Sequence, residues 1–225
     1  MRAVLLALSL FVAAAPTAEA GWRPASVFRH GVRLDRNGLI PRALLREALA
    51  SLKTHRAQAN NPARIAVADL SRHSDEPRFY VLNLRDGSVR NLVSTHGKGS
   101  DPDQTGRAVR VSNLPGTLAS STGAYVTGEE YDSPAHLSRA VRLDGLDPTN
   151  SAVRCRCIVI HQANRADGHG QAGRSDGCFA FSGEDYPYVL GRMVPGTFIY
   201  AGPASLPQWK PDPAPTWAAI QAVLA

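Results

Sequence analysis

A chain of 225 residues has room for one substantial domain and little more. With 44% hydrophobic and 20% charged residues its composition is that of an ordinary globular protein, which excludes a disordered or low-complexity chain. The net charge of +6 comes from arginines dispersed along the sequence, with no basic run or basic helical stripe. That argues against nucleic-acid binding and leaves weak attraction to an acidic polymer as the reading of the charge.

In chain order, Arg2 supplies a short positive start, residues 3–15 are apolar, and Ala18-Glu19-Ala20 places small residues before a cut at Gly21. This is the pattern of a secretory signal peptide over 1–20; the apolar run is short for a membrane span. No later stretch approaches eighteen apolar residues, so the mature chain is expected to be exported to the periplasm or cell envelope without stable membrane insertion. An N-terminal segment, 21–60, carries a helix over 41–53, with Pro41 at its first position and Leu and Ala spaced by three and four.

From Arg64 the period falls to two. Strands are expected at 65–70, 79–84 and 88–94, the last two joined through Asp86-Gly87, a tight-hairpin signal. His96-Gly97-Lys98-Gly99-Ser100 reads as a loop; its lysine between glycines lacks the spacing of a phosphate-binding loop. Further strands are expected at 120–128, 138–143, 155–161 and 197–201, with a helix over 182–193. The whole is a β-rich α+β domain over 61–201, flanked by the first helix, with a second helix after Cys178 and a proline-rich tail over 202–225.

The three cysteines leave at least one unpaired. Cys155 and Cys157 sit two apart on an expected strand and so point to one face, where a mutual disulfide is strained and two small buried thiols fit equally. A metal quartet of Cys155, Cys157, His161 and Cys178 is disfavoured, since a strand at roughly 3.3 Å per residue holds Cys157 and His161 about 13 Å apart. No metal and no cofactor is assigned.

The chemistry concentrates in His161, at the end of the expected 155–161 strand, and Arg174-Ser175-Asp176-Gly177-Cys178 across a glycine-rich loop. A thiol nucleophile needs a base within reach and backbone N–H groups free for an oxyanion. Gly177 removes a side chain beside the sulfur, and its N–H with that of Cys178 are the natural donors. An imidazolium neighbour lowers a thiol's pKa, so the pair is expected to hold a reactive ion pair near neutrality.

At these residues the sequence resembles the exported L,D-transpeptidases of the YkuD type, more closely the branch of murein L,D-transpeptidase catalytic-domain proteins. Seventeen positions separate His161 from Cys178 in a Ser-x-Gly-Cys signature, and the 121–126 strand and the stretches 79–82, 96–100 and 142–146 are similar as well. The resemblance covers roughly residues 60–201. It implies a mixed β-sheet or sandwich fold and a thioester at Cys178 formed from a peptidoglycan stem peptide. His161 would be the base, the Gln162 backbone carbonyl would orient it, and Gly177 would supply an oxyanion N–H. Arg174, Ser175, Asp176 and Tyr125 are the candidate substrate-binding residues, Arg174 for a stem carboxylate. Asp176 stands where most of the family has a histidine, with loop residue His169 as a candidate substitute. The partners implied are stem peptides, with no nucleic acid, and a monomer is expected. Two alternatives remain at this point: a carboxypeptidase or endopeptidase acting on the same stems, and a cell-wall-binding module with an inert thiol.

Overall fold

The computed structural model describes residues 28–29, 31–136, 138–163 and 175–210. Residues 1–20, read above as a signal peptide, most of the tail, and the loop residues His169 and Arg174 lie outside the described residues.

Among the described residues, ten strands and two α-helices follow in the order β1 (Phe28–Arg29), β2 (Val32–Arg33), α1 (Arg42–Thr54), β3 (Arg64–Asp69), β4 (Phe79–Asn83), β5 (Val89–Leu92), β6 (Gly123–Ser133), β7 (Ser138–Gly145), β8 (Val159–Gln162), β9 (Phe179–Phe181), α2 (Tyr186–Leu190) and β10 (Phe198–Gly202). β1 and β2 pair with each other; the other eight form one sheet in the order β5-β4-β3-β10-β6-β7-β8-β9. Only β3–β10 and β8–β9 run parallel. The ends of this sheet are drawn together. The chain leaving β5 runs beside β9, with Thr95 N–H donating to Ala180 O at 3.1 Å and Ser175 N–H to His96 O at 2.9 Å. The result is nearly a barrel.

Strict alternation on the central strands divides the core into two layers. Ile65 and Val67 of β3, Tyr80 and Leu82 of β4, and Phe198 and Tyr200 of β10 face α1, which buries Leu44, Leu45, Ala48 and Leu52 against them. Their neighbours Ala66, Phe79, Val81 and Ile199 face inward, with Tyr125 of β6 and Phe179 and Phe181 of β9. Phe79 meets Phe181 edge-on at 4.9 Å, and Tyr125 meets Phe179 at 5.5 Å. Strands buried on both faces read as near-continuous apolar runs, which is why this sequence shows them so plainly.

Three expectations are corrected. Pro41 caps α1 from outside, its carbonyl accepting from Leu45 N–H, and the helix starts at Arg42. The 182–193 helix shrinks to Tyr186–Leu190. Ser182 accepts from Asp185 and Tyr186 in a turn, Pro187 sits in the first helical turn, and Gly191 ends it. Residues 151–157 form consecutive turns rather than a strand, with Arg156 N–H bonded to Ala152 O and Ile158 N–H to Val153 O. Cys157 there has φ of +55°, and Cys155 and Cys157 are exposed free thiols instead of buried strand neighbours. The separation argued above from a strand rise therefore loses its premise.

Under the sheet's closing seam lies a fully buried arginine. Arg78 donates through Nε and Nη2 to Ser94 O at 2.9 and 2.8 Å, through Nη1 to Arg72 O at 3.1 Å, and through Nη2 to His96 Nδ1 at 2.9 Å. A guanidinium only donates, so His96 Nδ1 is the acceptor and the ring's proton sits on Nε2, 3.4 Å from Asp101 Oδ2. Burial pushes the Arg78 pKa down to about 10, with Asp69, Asp75 and Asp101 pulling upward, so it is charged at neutral pH. Replacing Arg78 by Met strands this network and is expected to cost about 3–5 kcal/mol in urea denaturation; a loss below about 1 kcal/mol would show the network to be dispensable.

Candidate active site

The β8–β9 register pairs His161 with Ala180 and Ile160 with Phe179. Cys178 immediately precedes β9, and its Sγ accepts from the N–H of Val159, two residues before His161 on β8, so the thiol and the imidazole belong to the same end of the β8–β9 pair. Both are nearly buried, each 7% exposed.

His161 Nδ1 lies 2.8 Å from Gln162 O, and a carbonyl only accepts, so Nδ1 carries the proton and Nε2 holds the lone pair. Burial pushes the ring's pKa down to about 4; the Gln162 carbonyl and Asp176 oppose that shift and His136 adds to it. Cys178 Sγ accepts from Val159 N–H at 3.4 Å and its own proton points toward Cys157 O at 3.8 Å. Burial pushes the thiol up to about 11, against the Val159 N–H and the Arg156 charge. The resting pair is therefore a neutral thiol and a neutral imidazole. Burial disfavours the charged form of each group and so works against the ion pair.

The turn before the sulfur is built by Ser175. Its Oγ donates to Cys178 O at 2.7 Å and accepts from Gly177 N–H at 3.1 Å. Gly177 has φ of +120°, and a β-carbon there would lie 2.7 Å from Ile158 Cδ1 and 2.8 Å from Ala119 O, so only glycine fits. Lys98 N–H donates to Ser175 O, and Lys98 Nζ pairs with exposed Asp176 at 3.0 Å. Gly97 and Gly99 flank Lys98 for steric reasons, since β-carbons there would strike the backbone of residues 117–120. Tyr125 lies beneath the site, 1% exposed, its hydroxyl bonded to Ser121, and Arg174 is outside the described residues.

Two residues at the site had no signal in the sequence. His136, on the β6–β7 hairpin, stacks its ring on His161 at 3.7 Å and 9°. Half-buried Arg156 donates to Ser112 O and Ala119 O and lies against Gly177, with no carboxylate partner among the described residues. Both arrive through topology: one from a hairpin tip, one from the turn that replaces the expected strand.

A family described as the L,D-transpeptidase catalytic domain matches residues 37–201, from just before α1 to the last strand. The chain belongs to this family. Among curated proteins none matches. Solved structures similar to it include an L,D-transpeptidase from Mycobacterium smegmatis, 16% identical over 63% of this chain and 59% of that one, with a TM-score of 0.39. An L,D-transpeptidase from Mycobacterium tuberculosis is 18% identical over 63% and 58%, TM-score 0.39. The helical cell shape determining protein of Campylobacter jejuni is 13% identical over 76% and 58%, TM-score 0.42. The chain spans about three fifths of the length of each of these structures. This L,D-transpeptidase-family domain thus carries His161 on β8 and Cys178 at the residue before β9 in a nearly closed sheet, with no helix among the described residues long and apolar enough to cross a membrane.

The neutral pair has a measurable consequence. Alkylation of Cys178 by iodoacetamide, followed by peptide mapping to separate it from exposed Cys155 and Cys157, should climb about tenfold per pH unit from 7 to 10. Its midpoint should lie near the thiol value of about 11. A plateau already reached between pH 6 and 8 would instead reveal the ion pair.

Proposed function

We propose that this L,D-transpeptidase-family domain is an exported acyltransferase that acts on peptidoglycan stem peptides through a Cys178 thioester, with His161 as base. The observation that carries the reading is the position of the two groups at one end of the β8–β9 pair, Cys178 Sγ bonded to Val159 N–H two residues before His161, with the imidazole lone pair left on Nε2 by the Gln162 carbonyl.

In this mechanism His161 Nε2 takes the Sγ proton as sulfur attacks the carbonyl between the L-centre of the stem and its terminal D-Ala. The carbonyl electrons move to oxygen, near the Cys178 N–H; the Gly177 N–H joins only when it leaves Ser175 Oγ. The C–N bond then breaks, the proton on His161 passes to the leaving amine, and D-Ala departs. An incoming amine gives its proton to His161, attacks the thioester and breaks the C–S bond, and His161 returns a proton to sulfur. Burial holds the thiol up and the imidazole down, so proton transfer is best made in concert with attack on a bound carbonyl. Arg156 supplies positive potential beside the developing charge, and Lys98 with Asp176 forms a polar rim. Arg174 is kept as the candidate for a stem carboxylate, and export rests on the signal-peptide pattern at 1–20.

Incubation with a disaccharide-tetrapeptide and an acceptor stem, followed by mass spectrometry, should yield an acyl adduct on Cys178, free D-Ala and a cross-linked product. Cys178→Ala should give no adduct, and His161→Ala should slow acylation by about 10²-fold or more. Hydrolysed tripeptide alone would move the assignment to a carboxypeptidase; no adduct on folded wild-type protein would overturn it.

A further inference from the structure

The arginines that look dispersed in the sequence are not all dispersed in space. A cleft of about 240 Å³ opens where β3, β4, the β4–β5 hairpin and the end of α2 meet, and three of its walls are Arg64, Arg90 and Arg192. Tyr188 stands among them. The guanidinium carbon of Arg90 lies 4.1 Å from the centre of the Tyr188 ring and that of Arg192 lies 4.4 Å from it. Both guanidiniums therefore lie against this one ring.

Stacking consumes the flat face of a guanidinium and leaves its in-plane N–H donors free. Arg90 spends one of these on Asp185 Oδ1 at 3.1 Å. Among the described residues Arg64 and Arg192 make no side-chain hydrogen bond or ion pair, so two forks and part of a third point at the cleft unspent. Asn83 and Ser88 add polar groups at its lip. The space is smaller than the roughly 300–1,000 Å³ of pockets that enclose a drug-sized ligand, which suits one compact charged group.

We propose that this cleft is a binding site for an oxyanion, a phosphate or carboxylate group held by the Arg64 and Arg192 forks with Arg90 in support. Planar forks match such groups bidentately, and the Tyr188 clamp holds two of them in place before binding. The chemistry is the same whether the anion is free or carried on an acidic cell-wall polymer. A polymer-borne anion would dock the domain on its surroundings and give the net charge of +6 a specific use. The inference does not depend on Cys178 chemistry, and its readout is binding rather than turnover.

The test is calorimetric titration of the full mature chain with inorganic pyrophosphate at low ionic strength, repeated with a short poly(glycerol phosphate). Wild-type protein should bind, and Arg64→Gln and Arg192→Gln should each weaken binding about tenfold. Arg107→Gln, at an exposed arginine elsewhere, should leave it unchanged. Arg64 takes no part in the Tyr188 stack, so Arg64→Gln decides the matter if Arg192→Gln fails to fold. Tighter binding of the polymer at equal phosphate assigns the carried anion, and equal affinity assigns the free one. Arg64→Gln binding like wild type, or Arg107→Gln losing as much, would reduce the cleft to general surface charge and overturn the proposal.

Discussion

The fold depends on one cation placed where water cannot reach it. Arg78 has no exposed surface, yet all three of its nitrogens donate to acceptors: the Ser94 carbonyl, the Arg72 carbonyl and the His96 ring. Those contacts fix the strip 94–96, which closes the sheet against β9. The strip in turn carries the carbonyl that receives Ser175 N–H and leads to the Lys98 N–H that meets Ser175 O. Ser175 shapes the turn that presents Cys178. A buried charge is costly to leave unpaired and specific when satisfied, so a single arginine sets the geometry of a site it does not touch.

The second theme is dryness. A thiol and an imidazole held near the surface of a protein tend toward an ion pair, whereas here both are nearly buried and both neutral. The sheet supplies the position and the Gln162 carbonyl supplies the tautomer. His136 covers one face of the His161 ring, further excluding water from it. Glycine at 177 completes the arrangement by letting the 119 carbonyl and Ile158 approach to a distance that any side chain would forbid.

Much of this was legible in the sequence. The alternation of β3, β4 and β10 and the Leu/Ala stripe of α1 are local signals, and both-face burial made the strands easy to read. The Cys-His spacing and the glycine before the cysteine pointed to one cleft. What stayed hidden depends on contacts distant in sequence or on competition that composition does not record. The first half of the apolar-looking 155–161 run gave way to turns and only its end became β8, because Arg156 bonds the carbonyls of 112 and 119 and residues 151–157 close on their own carbonyls. His136 sits 25 positions before the histidine it stacks on. Arg78 follows a proline at the edge of an expected strand, and nothing local marks it as a buried arginine. The desolvation that works against the expected ion pair is likewise a property of the assembled sheet.

The central claim is that the resting imidazole is neutral, protonated on Nδ1, and held so by burial and one carbonyl. Nitrogen-15 histidine spectroscopy of the folded protein, with His161 assigned by substitution, reads tautomer and titration together. The account predicts an Nδ1–H ring that stays neutral down to about pH 4. An imidazolium at neutral pH, or a neutral ring protonated on Nε2, would contradict it.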